Sequence, residues 1–127
     1  MAAIRGKNTR PEITVRRILH GLGYRFRLHS AALPGKPDIV LPKHKCVVFV
    51  NGCFWHQHSQ AVCPLSRRPK SRLEYWGPKL ERNRKRDTEN QRKLRRIGWR
   101  VLVIWECQIA RPESVILRLN NFLGKKA

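Results

Sequence analysis

At 127 residues, 41% of them hydrophobic, the chain has the length of a single domain, 1–127, with one core. Twenty-eight Lys and Arg against eight Asp and Glu give a formal charge of +20, which calls for a polyanionic partner. No run approaches the roughly 18 to 20 apolar residues of a bilayer span, and "MAAIRGKNTRPE" lacks the apolar segment of a signal peptide, so a cytoplasmic location without a membrane partner is expected.

In chain order, "PEITVRRILHGL" (11–22) predicts a helix, with Pro11 suited to the first turn, Gly21 and Gly23 to the end, and Ile13, Ile18, Leu19 and Leu22 near helical spacing. "YRFRLH" alternates like a half-buried strand. "PDIVL" and "KCVVFV" are short and β-branched, and "PKHK" between them suits a hairpin, so a three-stranded meander should follow the helix. From Ser71 to Ile97 the charged sequence predicts one helix, or two divided near Gly77-Pro78, with Leu80, Asn83, Asp87, Leu94 and Ile97 as its inner face. "WRVLVIWE" reads as a buried strand with Trp99 and Trp105 in the core, parallel to a neighbour because a helical crossover precedes it. "PESVILRLNNFL" closes the chain with another amphipathic helix. The class is α/β, in the order helix, three strands, helix, strand, helix.

Few acids remain to carry chemistry. Asp38 lies in "LPGKPDIVLP", after a proline-glycine turn, and Glu12 lies early in the first helix; the two could meet at one end of the meander and hold Mg2+ for phosphodiester hydrolysis. Equally, Glu12 suits a helix amino terminus and Asp38 a turn. Cys53, His58 and Cys63 are spaced by four residues each, and Cys107 follows the last strand, a pattern open to a Cys3His structural Zn2+ site or to small core cysteines with a surface histidine. Cys46, inside a strand, reads as core. His56 is a general acid or base or a hydrogen-bonded loop residue. Phe54 and Trp55, set among polar ligands, fit a wedge pushed between bases better than a core. Charge alone leaves nucleic-acid enzymes, packaging proteins and ribosomal proteins open.

"TRPEITVRRILHGLGYRFRLH", "LPGKPDIVLP", "CVVFVNGCFWHQH", "PKSRLEYWGPKLERNRKRD" and "GWRVLVIWEC" together resemble the very short patch repair (Vsr) mismatch endonucleases, a branch of the PD-(D/E)xK nuclease superfamily. The likeness spans almost the whole chain. It implies a restriction-endonuclease-like mixed sheet flanked by helices with a structural zinc site, and a nuclease that nicks double-stranded DNA on the 5′ side of the T in a T:G mismatch left by deamination of 5-methylcytosine. By this resemblance Asp38 matches the magnesium-binding aspartate, Glu12 the acid that contacts the metal's water shell, and His56 the histidine that activates water. Cys53, His58, Cys63 and Cys107 match the zinc ligands. Phe54, Trp55 and Trp76 match the aromatics inserted beside the mismatch, and Lys79 and Asn83 match positions that contact bases. The superfamily's Glu-x-Lys is replaced by "FVN", where the carbonyl of Val50 can serve as the missing metal ligand.

Some positions depart from the family pattern. Asn51 stands where some members carry a catalytic histidine, and an amide cannot shuttle a proton at neutral pH. Three extra residues within "SQAV" precede Cys63, and the chain begins where other members have an amino-terminal arm. One metal centre and single-strand nicking suit a monomer; a nucleoid-associated location is expected, with mismatch-repair proteins and a DNA polymerase as candidate partners. A zinc-containing DNA-binding module that has lost hydrolysis is a competing reading, motivated by Asn51 and the short amino terminus, and a non-specific RNA or ribosomal binder is a third.

Overall fold

The computed structural model describes residues 9–52 and 73–124, with residues 73–76 described by their backbone alone. Helix α1 spans Arg10–Gly21. Its first turn is fixed by Thr9, whose hydroxyl oxygen accepts the Glu12 N–H at 3.3 Å, and by Pro11, which has no N–H to leave unpaired there. At the other end Gly23 turns left-handed at φ +88°; its N–H donates to the His20 carbonyl at 3.0 Å and the Tyr24 N–H to that of Leu19 at 3.0 Å. These paired bonds are a Schellman stop. The helix buries Glu12, Val15 and Leu19. Leu22, expected inside, caps the helix and is 39% exposed, because the chain has already left the helical face there.

The meander forms, with shorter strands than the alternation suggested. Strands β1 (Arg27–Leu28), β2 (Ile39–Leu41) and β3 (Cys46–Asn51) pair antiparallel, with Leu28 opposite Ile39 and Ile39 opposite Val48. "YRFRLH" yields only two strand residues because His29 enters the left-handed region at φ +46° and ends the ladder. A 3-10 turn at Pro42–His44, closed by left-handed Lys45, makes the β2–β3 connection.

Helix α2 runs unbroken over Leu73–Arg96, with Pro78 inside it. Leu80 and Leu94 are fully buried on its inner face, and Asn83 and Asp87 are half-buried between them. Ile97 departs from expectation at 53% exposed. The helix has ended before it: Gly98 at φ +98° donates to Arg95 and Trp99 to Leu94, a second Schellman stop that turns the chain into β4. Strand β4 (Arg100–Trp105) lies parallel to β3, with Val48 beside Leu102 and Asn51 beside Trp105. A 3-10 segment, Glu106–Ala110, leads to α3 (Pro112–Gly124).

The sheet order β1-β2-β3-β4 is flanked by helices on both faces. Side chains alternate along each strand. Cys46 and Val48 of β3 and Leu102 and Ile104 of β4 therefore meet Val15 and Leu19 of α1 and Val115, Leu119 and Leu123 of α3. On the other face Val47 packs with Val40 and with Leu94 of α2. Full burial of each such aliphatic side chain stabilises the fold by about 1.5–3 kcal/mol. Trp99 and Trp105, expected in the core, are half-buried; Lys45 lies over the Trp99 ring with Nζ 4.7 Å from the centroid. Among the described residues no helix is long and apolar enough to cross a membrane.

Candidate active site

Three element ends converge on one spot. The first turn of α1 brings Glu12, the residue after β1 brings His29, and the residue before β2 brings Asp38. One ligand atom from each of the three lies within 4.8 Å of the others. The two acids singled out in the sequence are thus brought together, and His29 joins them.

Glu12 is buried, at 1% exposure, and its Oε2 is densely engaged. It accepts from Nε of Arg16, one helical turn away, at 3.1 Å and from a terminal nitrogen of the same guanidinium. Nε2 of His29 lies 2.7 Å from the same oxygen. An ionised carboxylate accepts only, so this imidazole nitrogen is the donor. Arg16 supplies the countercharge without which so buried a carboxylate would be costly.

Asp38 is held from the sheet side. Pairing of β2 with β3 stops at Ile39 opposite Val48, so β3 runs on past its partner. The Val50 N–H beyond that point donates to Oδ2 of Asp38 at 2.7 Å. In an extended strand the N–H and C=O of one residue leave from the same edge. The Val50 carbonyl therefore belongs to the edge that faces Asp38. A main-chain bond also joins the residues of the cluster, from the His29 N–H to the Asp38 carbonyl at 3.1 Å.

Ligands around a small hard cation sit about 2.0–2.1 Å from it, so opposite ligands are about 4 Å apart. Atoms gathered within 4.8 Å fit such an ion with a small inward adjustment. Two carboxylates suit Mg2+ with several waters, and Mn2+ accepts the same oxygen donors. A divalent metal is thus compatible with both the donor set and its spacing.

Other predicted positions are dispersed around this centre. Asn51, the last residue of β3, is 5% exposed and lies beside Trp105. On α2, Lys79 is exposed and Asn83 half-buried, with Oδ1 of Asn83 accepting from Arg86. The solvent side of that helix carries Arg82, Lys85, Arg86, Arg92, Lys93 and Arg96, a positive surface suited to phosphates. Cys107 is half-buried in the 3-10 segment after β4. The parallel pair ends at Asn51 and Trp105, each two residues short of a predicted zinc ligand, Cys53 and Cys107. Cys53, Phe54, Trp55, His56, His58, Cys63 and the side chain of Trp76 lie outside the described residues. Cys46 is a core residue as expected: its thiol donates to the His44 carbonyl at 3.1 Å, and burial pushes its pKa up.

Alternation does not single out His29, because it treats "YRFRLH" as one uniform strand. The available signal was topological. In an antiparallel pair the end of the first strand lies beside the start of the second, so the polar residue closing "YRFRLH" had to fall next to Asp38.

Residues 1–62 match the sequence profile of the DNA mismatch endonuclease Vsr family. The chain is 51% identical over 123 residues to the type II nicking enzyme V.XorIIP of Xanthomonas oryzae pv. oryzae, covering 97% of this chain and 88% of the relative. It is 40% identical over 115 residues to the DNA mismatch endonuclease Vsr of Escherichia coli K12, covering 91% and 72%. Among solved structures, the catalytic domain of the homing endonuclease I-Bth0305I superposes with a TM-score of 0.61 at 21% identity, covering 91% of this chain and 94% of that one. That likeness is one of fold.

Proposed function

The chain belongs to the Vsr family of DNA mismatch endonucleases, and on that premise we propose that it nicks double-stranded DNA 5′ to the T of a T:G mismatch, by Mg2+-dependent phosphodiester hydrolysis. The observation that carries this reading is the meeting of Glu12, His29 and Asp38 at the open end of β3, in a chain of net charge +20. Among its residues, Asp38 and the Val50 carbonyl would hold the metal, and Glu12, its Oε2 engaged by Arg16 and His29, would orient the water around it. When bound, Mg2+ supplies charge stabilisation of the phosphate and a lowered pKa for water. His56 would accept the proton of the attacking water. Asn51 would contribute a hydrogen bond there and no proton transfer.

Recognition is assigned to other residues. Phe54, Trp55 and Trp76 form the wedge that enters the duplex beside the mismatch. Unstacking a step costs a few kcal/mol, less at a weakly paired T:G, so insertion itself favours the lesion. Lys79 and Asn83 meet bases, while the basic face of α2 meets phosphates, which position the protein without reading sequence. Zn2+ held by Cys53, His58, Cys63 and Cys107 would brace the wedge residues from the end of β4. In this reading residues 1–127 act as one endonuclease domain and as a monomer.

Strand-labelled duplexes carrying T:G, C:G or T:A at one position, incubated with Mg2+ or EDTA, test the reading. The expected result is a magnesium-dependent nick confined to the T strand of the mismatch. Tight mismatch binding without a nick would refute the enzyme and leave a binding module; equal cutting of all three duplexes would refute the specificity.

A further inference from the structure

We propose that His29 is a positioning residue of the metal centre: it clamps Glu12 against Asp38, and metal affinity depends on the N–H that its ring donates. The inference deepens the proposed function and rests on it for the identity of the reaction, but not for the existence of the metal site.

His29 ties together the two acid-bearing elements, which are otherwise distant in sequence. Its main-chain N–H donates to the Asp38 carbonyl at 3.1 Å, while its ring Nε2 lies 2.7 Å from the Glu12 carboxylate. Both bonds come from one residue because the backbone at His29 is left-handed, φ +46°. Had β1 continued, the ring would have obeyed the strand's alternation of faces. A left-handed residue other than glycine is disfavoured, and such conformations persist where surrounding contacts determine them. Here those contacts reach Glu12 on one side and Asp38 on the other. The His29 side chain is 19% exposed, so the clamp is largely shielded from water that would compete for it. Among the described contacts of Glu12, Arg16 comes from its own helix and His29 from across the site, so that His29 links α1 to the strand that leads to Asp38.

Residues that orient metal ligands through hydrogen bonds typically set affinity by about 10- to 100-fold. Removal of the donor should therefore appear in metal binding itself, with or without DNA. The full chain as wild type, His29→Leu and His29→Gln would be titrated with Mn2+ by electron paramagnetic resonance and calorimetry, alongside thermal melting and nicking of the T:G duplex. Leu and Gln share the disfavour of the left-handed backbone, so comparing them isolates the donor, which Gln retains. The expected result is a Mn2+ Kd raised about 10- to 100-fold in His29→Leu and largely restored in His29→Gln, with similar melting of the two variants. In His29→Leu, nicking at limiting metal should fall through kcat, with KM for the duplex unchanged. Wild-type Mn2+ affinity in His29→Leu would overturn the proposal. So would equal weakening in both variants, since that would assign the effect to the ring and not to its donated hydrogen. If wild type binds Mn2+ and His29→Leu does not, but no duplex is nicked, the inference stands and the proposed reaction alone fails.

Discussion

Replacement of Asp38 separates its chemical role from its structural one. The carboxylate accepts the Val50 N–H at 2.7 Å, at a point where β3 has outrun β2 and, among the described residues, no strand partner can take over. Asp38→Ala leaves that donor orphaned in a half-buried position, a loss of about 1–3 kcal/mol. Asp38→Asn keeps an acceptor oxygen and removes only the charge. Glu12 lies within 4.8 Å, and two unit charges at that distance in an effective dielectric near 20 repel by about 3.5 kcal/mol. The Arg16 guanidinium on Glu12 cancels most of this, leaving on the order of 1 kcal/mol for Asp38→Asn to relieve. Without metal, Asp38→Asn should therefore melt at or slightly above wild type. Asp38→Ala should melt about 4–12 °C below Asp38→Asn, at roughly 4 °C per kcal/mol for a domain of this size. Saturating Mg2+ at about 100 times its Kd should raise wild-type stability by about 2.7 kcal/mol and neither variant's. Calorimetry with and without metal, with the nicking assay in parallel, checks all three. Asp38→Asn that still responds to Mg2+ and nicks would refute the metal role; equal melting of Asn and Ala would refute the assignment of the Val50 bond.

Two further outcomes follow from the cysteines. Cys107→Ala should lower zinc content from one ion per chain toward none and destabilise the fold, because ligand loss removes metal-binding free energy that is also folding free energy; unchanged zinc by atomic absorption would show that Cys107 is not a ligand. Cys46 should resist iodoacetamide in native protein at pH 8 and react in denaturant, since burial favours its neutral thiol. With the folded pKa raised above the ordinary 9.0, stability from this group is complete below that value and declines as pH rises through the folded pKa, so melting should fall in alkali in wild type more than in Cys46→Ala; equal alkaline losses would rule Cys46 out as the cause.

Much of the fold was legible because its signals are local. Pro11, Gly23 and Gly98 punctuate the helices, and the β-branched runs give β2, β3 and β4, with the crossover predicting a parallel last pair. The errors share a physical origin. Leu22 and Ile97 have the hydrophobicity of a core face, but each falls just past a helix end, where rotation about the axis no longer applies. Within the site, Glu12 and Asp38 could be paired from composition, since few acids were available. His29 could not be found that way. Its place depends on a left-handed kink and on strand adjacency, both set by tertiary packing and invisible to alternation.

The sequence "FVN" at the end of β3 has a consequence for how the acid pair is held. Val50 and Phe49 direct their side chains into the two hydrophobic clusters on opposite faces, and Asn51 is buried. The end of β3 thus offers Asp38 main-chain groups and no carboxylate. A second acid must come from another element, and α1 supplies it. In a strand-borne pair the separation of acids would follow from sheet geometry; here it follows from how α1 seats on the sheet through Val15 and Leu19. Such a seat is close-packed but not covalently fixed, so a tether between the two elements has a function that a strand-borne acid would not need. His29, bonded to Glu12 by its ring and to Asp38 by its backbone, occupies that place.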